Sequence, residues 1–290
     1  MNKGLVSAIG ASMLFGTAPN LSKLLQRGGM SPVALIFWYA LIGAAFNAAS
    51  AKAAGAKLRV PLKAGGLLAA VGVAGIGATS LLLNSSYLYI PVGVATVAHF
   101  LYPTIVAAAM ALFFGQRFTL GRLFAAVLSV AGMALIAGGK LSASFKGYAL
   151  ALASSATYSF YLVAMDRFPF GGIGTSAMLF WMNLSSCALC GALALFGGIR
   201  LAPPSFQAAM LMLLCAALVI AAYKLLLAGV SSLGASTAAF ATMAEPITSL
   251  AVSSLLYPAD RISPRGFVGI GLILCSILLA SLKSGERFRT

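Results

Sequence analysis

The sequence predicts an all-α membrane protein: ten transmembrane helices arranged as a 5+5 inverted-topology repeat around a central cavity. Three observations predict it. Of the 290 residues, 61% are hydrophobic and 8% charged, and the mean hydropathy is +1.02. A soluble domain carries about 25% charged residues, so a chain this apolar must have lipid as its solvent. Apolar stretches of about 20 residues, the length that crosses a hydrocarbon core of about 30 Å, recur along the whole chain. The chain also matches itself, without gaps, when shifted by 143 positions.

The first span is read at Leu5–Leu24; it lacks a signal-cleavage pattern and is kept as a true span. Pro32–Ala51 follows, opening on a proline and holding Trp38. The third, Gly65–Leu88, carries Gly72, Gly75 and Gly77, small residues whose ordinary use is close helix packing. Val92–Phe114 and Thr119–Gly138 complete the first five, and His99 and Pro103 fall inside the former. The second five are Gly147–Asp166, Ile173–Phe196, Phe206–Leu227, Ala235–Tyr257 and Pro264–Leu282. Connections are short, and alternating strand patterns are absent, so neither a soluble domain nor a β-barrel is expected. The domain is single, over 1–290, with one repeat in 1–143 and the other in 144–290.

Self-similarity rests on rare residues. ALIFWYAL at 34–41 meets AMLFWMNL at 177–184, pairing Trp38 with Trp181, the two tryptophans of the chain. Pro103 meets Pro246, Arg122 meets Arg265, and Gly4 meets Gly147. Five spans is an odd number, so the second copy enters the bilayer from the opposite side. Charge agrees. Lys52, Lys57, Arg59, Lys63, Arg117 and Arg122 follow the second and fourth spans of copy one, against Arg200, Arg261 and Arg265 in copy two.

The net charge of +15 has a membrane reading. With both termini cytoplasmic, the inner segments hold Lys3, Lys52, Lys57, Arg59, Lys63, Arg117, Arg122, Arg167, Lys283, Arg287 and Arg289. The outer ones hold the shorter set Lys23, Arg27, Lys140, Lys146, Arg200, Arg261 and Arg265. Basic residues favour cytoplasmic loops during insertion, so a multi-pass protein of the inner (plasma) membrane is expected. Scattered over short loops, these charges do not form a nucleic-acid patch. Cys187, Cys190, Cys215 and Cys275 all fall inside spans and read as packing residues, the CxxC of the first two included. One histidine and four acids in the whole chain give no metal site and no nucleophile constellation. No GxxxxGK[ST] occurs, so neither a cofactor nor direct use of ATP is expected.

Ionisable groups within spans cost about 2.5–3.5 kcal/mol on insertion scales, so each needs a reason. Glu245 lies mid-span beside Pro246, which frees a carbonyl near Thr242. A carboxylate there can hold an ammonium group or a proton, or can fix packing alone. Lys224 lies about one turn from the inner end of its span, a few ångströms at 1.5 Å per residue. It can snorkel, pair with Glu245 on the next helix, or hold a substrate carboxylate. An acid and a base in one cavity would suit an amino acid. His99 sits one turn before Pro103, with Thr242 as its repeat mate, and suits either proton coupling or a packing hydrogen bond. Tyr102 is the mate of Glu245. Trp38 and Trp181 are symmetric and mid-span, and read as packing or gating residues. Asn20, Asn84, Tyr87, Tyr158, Tyr161 and Asn183 are further polar groups in or near spans, and some must face a wet cavity.

The segments 94–137 and 237–280 resemble the closing helix pair of the EamA-type repeat of the drug/metabolite transporter (DMT) superfamily. That repeat has a proline in the fourth helix, written Glu-Pro in many second copies, and then a glycine-rich fifth helix; Glu245-Pro246 fits. The resemblance covers the whole chain in span count, length and duplication. It departs where the family has a Glu thirteen positions after the proline: here stand Gln116 and Ala259. The resemblance implies a ten-helix bundle whose cavity is lined by helices one to four of each half. It also implies export of amino acids, including aromatic ones, or of other metabolites and drugs. Inverted repeats independently favour a secondary transporter working by alternating access. Its partners would be a small-molecule substrate, the lipid bilayer and, if coupled, protons. Efflux of cationic compounds is the alternative; a channel or an intramembrane lipid-handling protein fits less well.

Overall fold

The computed structural model describes residues 3–90, 92–116, 120–137, 144–168, 170–256 and 264–282, and these form helices and connections with no strand among them. The chain begins with α1 (Lys3–Arg27) and α2 (Pro32–Ala53). Next come α3 (Leu62–Ala70) and α4 (Ala78–Ser86), joined without a break by a π-helical stretch at Val71–Gly77. Then follow α5 (Val92–His99), α6 (Tyr102–Phe114), α7 (Leu120–Ala137), α8 (Phe145–Arg167), α9 (Thr175–Gly197) and α10 (Phe206–Leu233). The last elements are α11 (Ala235–Ala241), a 3-10 turn at Thr242–Ala244, α12 (Glu245–Leu256) and α13 (Pro264–Leu282). Among the described residues, six helical runs are long and apolar enough to cross a membrane: α1, α2, the α3–α4 run, α8, α9 and α10. Shorter apolar helices occur within α6, α7 and α13. Arg117, Lys140, Ala259, Arg261, Lys283, Arg287 and Arg289 lie outside the described residues, as does the Arg122 side chain.

Local chemistry sets the element ends. Ser31 caps α2, accepting the Ala34 amide at 3.1 Å, and Pro32 takes the first turn, where no amide is needed. Ser205 caps α10 likewise through Ala208, at 3.1 Å. Gly234, at φ +78°, lets α11 start directly after α10 ends.

Two spans read as continuous, Val92–Phe114 and Ala235–Tyr257, are each two helices. A proline cannot donate to the carbonyl four residues back, and its ring crowds that carbonyl. For Pro103 that carbonyl belongs to His99, where α5 ends; for Pro246 it belongs to Thr242, where the 3-10 turn begins. Within the turn, the Glu245 amide donates to the Thr242 carbonyl instead. The symmetric prolines therefore break symmetric helices beside His99 and Glu245.

Glycines set the closest approaches. On α1, Gly4 faces Ser232 and Leu233 of α10, while Ala8 meets Gly229, so the two helices run antiparallel. Gly43 of α2 faces Asn183 of α9, and Phe37 faces Gly191: partners on α9 retreat as α2 advances, so this pair is antiparallel too. Helix α4 runs antiparallel to α8, with Thr79 and Thr157 hydroxyls 2.7 Å apart. Helix α13 packs along α7. Gly72, in the π stretch, is pressed on Ser185 and the Met182 backbone of α9, and its carbonyl accepts from Ser186 at 2.8 Å.

The tryptophans make matching bonds. The Trp38 indole donates to the Leu201 carbonyl at 2.7 Å, and the Trp181 indole to the Leu58 carbonyl at 2.9 Å. Leu58 and Leu201 are themselves 143 apart, so each half reaches for the same place on the other. Large apolar side chains on the rim stay uncovered: Leu255 is 83% exposed and Phe196 88%, an outward face suited to hydrocarbon. Cys187, Cys190 and Cys215 are free and buried, as packing residues would be.

Candidate functional site

A half-open cavity of about 100 Å³ lies between the halves. From the first half come Phe15, Ser22, Tyr39, Ser80, Asn84, Tyr87 and His99; the second adds Tyr158, Tyr223 and Glu245. A smaller neighbouring void of about 30 Å³ shares Tyr39, Ser80 and Tyr223 and reaches Asn47, Asn183 and Ser186.

Glu245 is placed by packing. Gly16 of α1 sits against the Glu245 carbonyl and lies so near Ser249 and Thr248 that any side chain there would collide with α12. Asn20, one turn on, donates to the Ser249 carbonyl at 3.0 Å. These contacts pin the first turn of α12 and leave the half-buried Glu245 side chain on the cavity wall, without a hydrogen bond or ion pair among the described residues. The one ion pair among those residues joins Asp166 to Arg167. Among the described residues, no Lys or Arg lines the cavity.

His99 faces the same space. Its Nδ1 lies 2.9 Å from Ser154 Oγ, and Ser154 donates its hydrogen to the Ala151 carbonyl at 2.6 Å. Ser154 must therefore accept from the imidazole, which puts a hydrogen on Nδ1 and leaves Nε2 as the free nitrogen of the neutral ring. Around it lie Tyr102 and Tyr158, ring centroids 5.3 and 5.4 Å away. Tyr102 is wholly buried, stands edge-on to Tyr158 at 4.7 Å, and meets Thr242 Oγ1 with its hydroxyl at 2.6 Å. Thr242 donates to the Ala239 carbonyl, so Tyr102 is the donor in this bond.

The structure thus brings Glu245 and His99 to one cavity and sets Tyr102 behind its wall, against His99 and Tyr158; Pro103 is buried and does not line the cavity. Pro246 follows Glu245 in α12; its ring lies outside the description. Trp38 and Trp181 do not line the cavity but tie each half to the other. The expected pairing of Lys224 with Glu245 does not occur. Lys224 Nζ donates to Ser50 at 3.1 Å and lies over the Phe46 ring at 4.8 Å, both on α2, because its side chain leaves α10 on a face turned from the cavity. Tyr39, Tyr223, Ser22 and Ser80 line the cavity and carry no sequence signal beyond being polar or amphipathic mid-span.

The model of the EamA-like transporter family matches residues 2–138 and again 145–282. The chain belongs to the EamA-like transporter family. The double match is the duplication read from the tryptophan and proline pairs. A solved structure titled "Crystal structure of protein" shares this EamA fold with a TM-score of 0.81 at 20% identity, covering 97% of this chain and 98% of that one. No curated protein matches. Members of the family are transporters and not enzymes, so this EamA chain is a multi-pass membrane transporter with a small-molecule substrate.

Proposed function

We propose that the chain is a secondary transporter of the inner membrane that exports small organic amines by alternating access. Amino acids count among them through their ammonium group. The observation that carries this reading is the Glu245 carboxylate, without an ion pair among the described residues, in a cavity walled by both repeats. A buried carboxylate needs a positive partner. The rings of Phe15, Tyr39, Tyr87, Tyr158 and Tyr223 around it suit a cation carrying an apolar body. The amino-acid reading that relied on Lys224 to hold a carboxylate loses that support, since Lys224 is engaged on α2.

Ten spans in two inverted repeats, both termini cytoplasmic, account for the arrangement. Antiparallel α2 and α9 are repeat mates, and the reciprocal tryptophan bonds are what a two-fold axis in the membrane plane would produce. In that orientation the cavity occupies the outer half, between the end of α1, the start of α2 and the end of α4, while the Gly4–Ser232 contact closes the inner end.

Purified protein in liposomes should move radiolabelled tyramine or an aromatic amino acid, and Glu245→Gln should lower the rate at least tenfold. Equal rates in the two proteins would remove Glu245, and with it the amine reading. Single-channel conductance would place the chain among channels.

A further inference from the structure

We propose that His99 and Glu245 form a pair in the opposite-facing state, so that a protonated His99 takes the place of the departed substrate on the Glu245 carboxylate. The inference rests on the alternating-access reading and follows from one hydrogen bond. Tyr102 donates to Thr242 at 2.6 Å across the two halves. The repeat mate of Tyr102 is Glu245, and the mate of Thr242 is His99. When two inverted repeats exchange conformations, each cross-repeat contact is exchanged for its mate. The bond present here, Tyr102 with Thr242, gives way to Glu245 with His99.

The geometry prepares that exchange. Both residues already line one cavity, yet no ion pair joins them in this state. The Nδ1 hydrogen of His99 is committed to Ser154, leaving Nε2 to take a proton. Other titratable groups facing the pair are the hydroxyls of Tyr39 on α2, Tyr87 just after α4, Tyr102 on α6, Tyr158 on α8 and Tyr223 on α10. Helix α7, which packs on α5, carries none between Leu123 and Ala137. His99 and Glu245 are therefore the acid–base couple of the cavity. As the halves swap, Nε2 takes a proton from water and the imidazolium moves onto the carboxylate. When a substrate cation returns, that proton goes back to water. One organic cation is exchanged for one proton.

The single histidine makes the test direct. Protein labelled with 15N-imidazole histidine and held in nanodiscs should show two His99 signals by NMR. One is neutral with its hydrogen on Nδ1; the other is charged, disappears in Glu245→Gln, and is about five times more populated in Tyr102→Phe. Identical histidine spectra and pH midpoints in all three proteins would overturn the pairing. Should Glu245→Gln not fold, a bifunctional thiol cross-linker supplies the measurement. In a background with the four cysteines replaced by alanine, the pairs 99/245 and 102/242, changed to cysteine, should cross-link in opposite conformers; joint cross-linking in one conformer would refute the swap. A Ser80→Cys label separates the two levels. Reaction from both membrane faces upholds alternating access even if the histidine signals never change; reaction from one face alone brings down both.

Discussion

Replacing Tyr102 by Phe removes one oxygen and keeps the ring that stands edge-on to Tyr158 at 4.7 Å. The lost bond is a buried one of 2.6 Å in which the tyrosine donates. A hydrogen bond of this kind contributes about 1 kcal/mol net. If it exists in only one of the two facing states, its loss moves their ratio by about fivefold toward the other state. The assay is two-sided labelling of a cysteine on the cavity wall, such as Ser80→Cys, in right-side-out and inverted vesicles. The ratio of labelling rates should move about fivefold toward the cytoplasmic face. Thr242→Val removes the same bond from its other end and should give the same shift, and the double variant should add nothing to either. An unchanged ratio would show that the bond persists in both states. A shift toward the outer face would show that the repeats do not trade contacts as their symmetry demands.

Gly16→Ala should lower the melting temperature, because its new methyl would sit 2.9 Å from the Ser249 amide and from Thr248 Cβ, an overpacking that costs about 1–3 kcal/mol. Gly66→Ala, in α3 with open space around it, should leave the melting temperature equal or higher, by up to about 1 kcal/mol of helix propensity; a drop comparable to that of Gly16→Ala would refute the packing account. Trp38→Phe and Trp181→Phe should each cost about 1 kcal/mol in denaturant titrations, and the costs should add, since the two bonds share no partner. Lys224→Met should transport normally, because Ser50 and Phe46 hold that side chain outside the cavity; lost transport with intact folding would return Lys224 to the substrate path.

Composition made the lipid environment legible, and rare residues made the duplication legible: Trp38 with Trp181, Pro103 with Pro246. The prolines also marked where helices break, though the sequence read those spans as continuous, since hydropathy does not register one missing hydrogen bond. Cavity-facing residues were harder to read. A soluble helix shows its buried face by apolar periodicity, but a helix with lipid outside and partner helices inside is apolar all round. Tyr39 and Tyr223 therefore looked like any amphipathic residue. Glu245 and His99 stood out because their charge is costly in hydrocarbon. Lys224 stood out for the same reason and misled: its position along α10 was readable, its azimuth was not.

The π-helical stretch at Val71–Gly77 sets the halves apart. Its repeat mates, residues 214–220, lie in an unbroken α-helix, with Cys215 where Gly72 stands. On the alternating-access proposal, two identical copies would give inward- and outward-facing conformers related by a two-fold rotation and equal in free energy, each filled half the time at rest. Any bias must arise where one copy differs from the other. A wider turn seated on α9 in one half, with no counterpart in its twin, is such a place, so on that proposal the glycines of the stretch carry part of the resting preference of the empty carrier.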